Sequence, residues 1–222
     1  MKKLFTILTV VILTTTVSFA QFSAKAGLNM ANIASNNDDA DMSMKLGLVI
    51  GGNYAIELSD EMSLDLSLTF KQSGAKETND FQGGSTEMKW SLNYLDISPN
   101  LAYKVSDVFG FSAGPYLAYA ISGTVKSEMK ITNGPTTETS ESIKFGDGDN
   151  DDGIKAMDFG INIGATYFIN DMMNISAGYA LGLTNLIYVD DDMKDAYDAM
   201  NEDVPSLKNT GIYLSFGYSF GG

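Results

Sequence analysis

The chain contains no cysteine, no histidine and no arginine, so all 14 of its basic residues are lysine. Without cysteine there is no disulfide framework, no thiol nucleophile and no cysteine to carry a lipid anchor. Without histidine there is no imidazole general base, which removes the usual proteases, lipases and deacylases built on one. Long apolar runs are missing as well. Beyond residue 20 no stretch approaches the roughly 20 apolar residues that a membrane helix requires. A chain that is 44% apolar, with 12 Phe and 11 Tyr, can therefore span a bilayer only as strands. Positive charge is also scarce: the formal net charge is −14, and nucleic acid is not an expected partner.

What is present begins with a basic Met1-Lys2-Lys3, an uncharged run from Leu4 to Val17 and the small residues Ser18 and Ala20 before Gln21. This pattern predicts a secretory signal peptide over 1–20, cut after Ala20. With no Pro/Ser-rich linker in the remainder, 21–222 is expected to form one domain. Removal of Lys2 and Lys3 takes the charge from −14 to −16.

Hydropathy then alternates with period two. Phe22, Ala24, Ala26, Leu28 and Met30 oppose Ser23, Lys25, Gly27 and Asn29, and Leu46, Leu48 and Ile50 oppose Lys45, Gly47 and Gly51. Leu64 to Phe70, Leu95 to Tyr103, Phe109 to Ile121, Phe159 to Tyr167, Ile175 to Leu183 and Ile212 to Phe220 repeat the rule, making eight strands. Pro99 and Pro115 each remove a ladder donor, which predicts a bulge or irregularity there. Connections at 59–62, 106–108 and 170–172 are tight, whereas 31–44, 74–88, 124–156 and 187–208 are long. The expected fold is all-β: an eight-stranded antiparallel up-and-down transmembrane barrel with short periplasmic turns, long extracellular loops and both ends of the chain in the periplasm. Tyr54, Trp90, Tyr94, Tyr103, Phe109, Tyr167 and Phe168 fall near predicted strand ends, where aromatic girdles belong. A soluble lipocalin-like barrel also has eight strands, but with its apolar face inward. The many charges on the polar face favour the membrane form.

Several runs resemble the Bacteroidetes-type outer-membrane β-barrel domain often labelled the PorT family. They are FSAKAGLNMAN at 22–32, LNYLDISPNLAYK at 92–104, GPYLAYAISG at 114–123, DFGINIG at 158–164, YALGLTNL at 179–186 and the closing GIYLSFGYSF. The resemblance implies an outer-membrane location and insertion by the barrel-assembly machinery, and it brings no catalytic residues. Gly221 and Gly222 depart from it, because such barrels usually stop at the aromatic residue.

Candidate sites are of three kinds. Lys25, Lys45, Lys71 and Lys104 share the polar face with Glu57, Asp65, Asp96 and Asp158. In a lumen only wide enough for side chains these are expected to neutralise one another, with a proton or ion path as the alternative. The long loops carry −13 of the −16, and Asp147, Asp149, Asp151 and Asp152 nearly match the start of a calcium loop with the glycine one position late. Weak Ca2+ or Mg2+ binding there, or at 37–41 and 190–192, is the reading set against a solvated acidic loop, and no other cofactor is expected. Met193, Ala196, Tyr197 and Met200 are spaced for a short helix behind possible Asp caps, whose stripe would either cap the barrel mouth or dock a partner chain.

The function expected is a structural or interaction role without catalysis. Its partners are outer-membrane lipid and lipopolysaccharide, the assembly machinery and an envelope protein. A small channel or transporter for ions or small solutes is the alternative, favoured by the glycines on the inner face. A lipid-modifying enzyme lacks a recognisable nucleophile motif.

Overall fold

A computed structural model describes residues 22–37, 42–146, 153–189 and 191–220. The predicted signal segment and Gly221–Gly222 lie outside them. Eight long antiparallel strands close into a ring: β1 (Phe22–Ser35), β3 (Lys45–Glu57), β4 (Met62–Ser73), β6 (Gly84–Ser106), β7 (Phe109–Ile131), β11 (Met157–Phe168), β12 (Met173–Gly182) and β13 (Leu207–Ser219). Each pairs with its neighbour in sequence, and β1 closes on β13 from Ser23↔Ser219 to Ser35↔Leu207. Closure leaves no edge within the ring, which is the condition for strands to cross lipid.

Alternation settles which face is inside. Leu46, Leu48 and Ile50 on β3 and Ile163 on β11 are each more than half exposed, and the same phase on every strand presents Leu, Ile, Phe or Tyr outward. Such a belt is stable against lipid tails and not against water, so the soluble lipocalin-like arrangement is excluded. The intervening residues, among them Asn29, Ser67, Thr69, Asp96, Ser98 and Asp158, are buried in the lumen.

The periplasmic turns are short because the local chain supplies their hydrogen bonds. Asn170 Oδ1 accepts from the backbone N–H of Met172 and Met173 at 2.9 and 2.8 Å, and Ser59 Oγ accepts from Met62 N at 3.1 Å.

Three expectations are corrected. First, much of the sequence assigned to loops is sheet. β6 and β7 run 23 residues each, well beyond the ring, and are flanked by β5 (Lys76–Phe81), β8 (Thr136–Ser142) and the two-residue β2 (Met42–Ser43). Pairing Lys76↔Lys89↔Lys126↔Ser140 runs across this outer sheet.

Second, Pro99 and Pro115 give the expected irregularity, a lapse of the ladder, but no bulge. Ile97 pairs with Leu117 and Leu101 with Ala113 at one unchanged offset, so Pro99 and Pro115 face each other across β6 and β7. Both missing donors fall in one short lapse of the ladder. The register shifts lie instead at Asn93/Tyr94 and Lys104/Ser106. Third, Trp90 and Tyr94 are not girdle residues: Tyr94 is fully buried in the lumen and Trp90 packs against the same interior cluster.

Candidate functional site: a lumen shut at one end

The lumen has three tiers, each dictated by the inward phase of the strands and by what the connections add. At the end remote from the tight turns the filling is apolar. Leu92, Ala118 and Ala75 are fully buried, and Leu186, from the segment after β12, is 1% exposed. Ile143, Phe145 and Ile154 pack against them, the last two carried by the two-residue parallel strands β9 (Phe145–Gly146) and β10 (Ile154–Lys155). The plug is tied down by backbone: Leu186 N donates to Leu207 O at 2.8 Å, and Lys155 N donates to Leu186 O at 2.7 Å. Asn185 secures the entry, its Oδ1 accepting from Leu207 N at 2.9 Å and its Nδ2 donating to Pro205 O at 2.9 Å.

Beneath the plug lies a dry polar tier. Asp158, 1% exposed, accepts at Oδ2 from Tyr116 Oη at 3.1 Å and from Asn209 Nδ2 at 2.9 Å, and the same Asn209 nitrogen donates to Tyr94 Oη at 3.1 Å. The Tyr116 ring reaches across β11 because residue 160 is glycine; a Cβ there would stand 2.5 Å from the ring. On the facing wall Lys71 Nζ pairs with Asp96 Oδ2 at 3.0 Å and sits 4.3 Å from the centroid of Tyr116. Ser98 Oγ donates to Asp96 Oδ1 and accepts from Asn162 Nδ2 at 3.2 Å. Satisfying the carboxylate on both oxygens is what makes a charge tolerable at 4% exposure. The tier is still short of donors, since Asp158 Oδ1 and Asn209 Oδ1 are buried without a partner.

The third tier is open. A cavity of about 600 Å3 extends to the turn-bearing, periplasmic end. Among its walls are Lys25, Asn53, Glu57, Asp65, Ser67 and Tyr213. Lys25 Nζ donates to Ser67 Oγ at 3.0 Å, Ser67 in turn to Asn53 Oδ1 at 2.9 Å, and Asp65 Oδ1 accepts from Ser63 Oγ at 2.8 Å.

The eight charges predicted to neutralise one another thus fall into separate places. Only Lys71 and Asp96 form an ion pair among the eight, with Asp158 linked to them through the Tyr116 side chain. Lys25 and Asp65 line the cavity without meeting. Lys104 lies at the periplasmic rim, 3.8 Å from Asp107 and 5.8 Å from the Phe168 ring centroid, and Glu57 is exposed near it. Lys45 is at the opposite end of β3, where it pairs in register with Ala31.

Tyr94, Tyr116, Asn209, Ser98 and Asn162 complete the dry tier; none of them is among the charged candidates, and Tyr94 is expected in the girdle. Their signal was phase: Tyr94 alternates with Asp96 and Ser98, and Tyr116 with Gly114 and Ala118.

The acidic stretch Asp147, Asp149, Asp151 and Asp152, like 38–41 and Asp190, lies outside the described residues. The helix does form, as α1 (Asp191–Met200), with Asp191 accepting from Lys194 Nζ at 2.8 Å. None of its residues is buried: Met193 and Met200 are exposed, and Tyr197 is half-buried. Leu186 and its neighbours fill the lumen at that end.

A family model described as outer membrane protein beta-barrel domain matches residues 15–188. No curated protein matches the sequence. Among solved structures, the chain is similar to Neisserial surface protein A at 12% identity, over 90% of this chain and 97% of that one, with a TM-score of 0.47. It is also similar to the attachment invasion locus protein Ail of Yersinia pestis in complex with the heparin analogue sucrose octasulfate, at 12% identity over 89% and 97%, TM-score 0.43. A third is OprG from Pseudomonas aeruginosa, at 11% identity over 90% and 96%, TM-score 0.33.

Proposed function

Because this chain belongs to the outer membrane protein β-barrel domain family and resides in the outer membrane, we propose that it is a non-conducting, non-catalytic barrel whose task is structural or interactive. The ring anchors an outer surface that carries most of the negative charge, and that surface engages a neighbouring component of the envelope. The observation carrying this reading is the plug. Leu92, Ala118 and Leu186 stand between the lumen and the exterior with 0–1% exposure. An ion entering that tier would lose its hydration with no polar group to replace it. Outer-leaflet lipid and lipopolysaccharide surround the ring, and the assembly machinery inserts it. Kinship with the PorT type, drawn from the motifs of 22–32, 92–104 and 114–123, is part of the same proposal.

The test is conductance of the purified chain in planar bilayers. The expected record has no sustained open level. Stable unitary steps from the unaltered protein would replace this reading with that of a small channel, for which the periplasmic cavity would be one mouth.

A further inference from the structure

We propose that the periplasm-facing cavity is a binding site for a small zwitterion, an amino acid or short peptide, held between the Lys25 ammonium and the Asp65 carboxylate. The inference is independent of whether the plug conducts.

It rests on a contrast between two charge pairs of the same lumen. Lys71 and Asp96 lie in the dry tier and close on each other at 3.0 Å. Lys25 and Asp65 share the inward face of β1 and β4, and both line one cavity. Among the described residues, neither enters an ion pair. The Lys25 ammonium uses one of its three donors, on Ser67 Oγ at 3.0 Å. Asp65 accepts from Ser63 at Oδ1. The two opposite charges thus line the same space, Lys25 steadied by the Ser67 hydroxyl and Asp65 by Ser63 and Asn53.

The space itself suits such a ligand. About 600 Å3 is within the range of small-molecule sites and is large for side chains to leave unfilled in a barrel of this width. Its walls mix hydroxyls, amides and charges with apolar side chains such as Met62, Phe111 and Phe168. Tyr213 adds a hydroxyl with no protein partner among the described residues, and the hydroxyl end of its ring lies over Gly178, where a Cβ would collide with the Oη and Cζ atoms. A zwitterion places a carboxylate against Lys25 and an ammonium against Asp65. A plain anion would meet the excess of Glu57, Asp60 and Glu61 over Lys104 at the rim, and a plain cation would meet Lys25 inside.

The experiment is calorimetric titration of the chain from Gln21, in detergent micelles, with L-alanyl-L-alanine. N-acetyl-L-alanyl-L-alanine and L-alanyl-L-alanine amide are titrated in parallel. Saturable binding of the free dipeptide is expected, weakened about tenfold or more by either block, the loss that one missing charge-assisted contact gives. In Asp65→Asn the acetyl block should cost nothing further, and in Lys25→Met the amide block should cost nothing further. Heat-modifiable gel migration verifies that each variant is folded. Absence of saturable heat up to about 10 mM, a range that a few hydrogen bonds would reach, overturns the proposal. Equal binding of all three peptides overturns it too, and so does binding of cadaverine but not of the dipeptide. Because conductance is read separately, failure here leaves the structural reading standing, and an open channel would leave this site standing.

Discussion

The two ends of the lumen are built on opposite principles although the same eight strands form both. At the outer end the inward positions are Leu92, Ala118, Ala120 and Ile33, reinforced by Leu186, Phe145 and Ile154 from the connections, and they exclude water by packing. At the periplasmic end the inward positions are Ser23, Lys25, Asn53, Asp65 and Ser67, the connections are too short to fold inward, and a cavity remains. Connection length therefore decides the character of each end as much as strand sequence does. Long connections can return residues to the mouth as a plug, and turns of two or four residues cannot.

The largest test of this contrast is one substitution made at two heights. Lys71→Met strands the Asp96 carboxylate, 4% exposed, in the dry tier and should cost about 3–5 kcal/mol of unfolding stability. Lys25→Met, beside the open cavity, removes a charge that water reaches and should cost less than about 1 kcal/mol. Urea titration of the folded barrel in lipid vesicles gives both numbers. Equal costs would mean that the two tiers do not differ in solvation. The double variant Lys71→Met/Asp96→Leu should recover most of the loss, since both charges then leave together.

Next in size is truncation of the plug. Leu92 is fully buried, so Leu92→Ala should destabilise by about 2–5 kcal/mol through lost burial and the void left behind. Its counterpart at the other end is Tyr213→Phe. That hydroxyl faces the cavity without an acceptor among the described residues, so the change should fall within about 0.5 kcal/mol. A Tyr213→Phe cost near that of Leu92→Ala would show that the periplasmic tier is packed and not open.

How far these tiers could be read from the sequence depended on whether a segment had one wet and one greasy side. Along 45–57, 62–73, 95–103 and 157–168 one face meets lipid, so period-two hydropathy was strong and both the strands and the inward Lys71, Asp96 and Asp158 were legible. Along Thr136–Ser142, reading TTETSES, every residue is exposed, hydropathy does not alternate, and the strand reads as loop. The helix at 191–200 announced itself by spacing, but spacing could not say what its stripe would touch. Tyr94 was misplaced because an aromatic near an expected strand end fits a girdle as well as a lumen. Its phase with Asp96 was the better guide. The plug was illegible for a different reason: Leu186 reaches Leu92 only through tertiary folding of the segment after β12, which no local pattern encodes.

The smallest effect sharpens the comparison beyond the ring, on the part of β6 that stands outside the membrane. There Glu87 accepts from Lys89 at 2.5 Å and from Lys76 at 3.0 Å, linking β5 to β6. Hydrogen bonds from Lys89 and then Lys76 hold its carboxyl below the ordinary glutamate value of 4.5. A carboxyl depressed in the folded state stabilises it above the unfolded value, and that contribution disappears as pH falls through the depressed value. Acidification below about pH 4.5 should therefore lower amide protection in 76–89, taken against the intrinsic exchange rate at each pH, in the unaltered protein, whereas Glu87→Gln should be less protected already at neutral pH and respond less to acid. Both responses should shrink in high salt, because a water-facing pair is screened. The plug beneath, held by packing and backbone hydrogen bonds, should keep its protection through the same titration. If 76–89 and the plug lost protection together, the outer sheet and the closed end would be one cooperative unit, and the plug would draw part of its stability from charges outside the membrane.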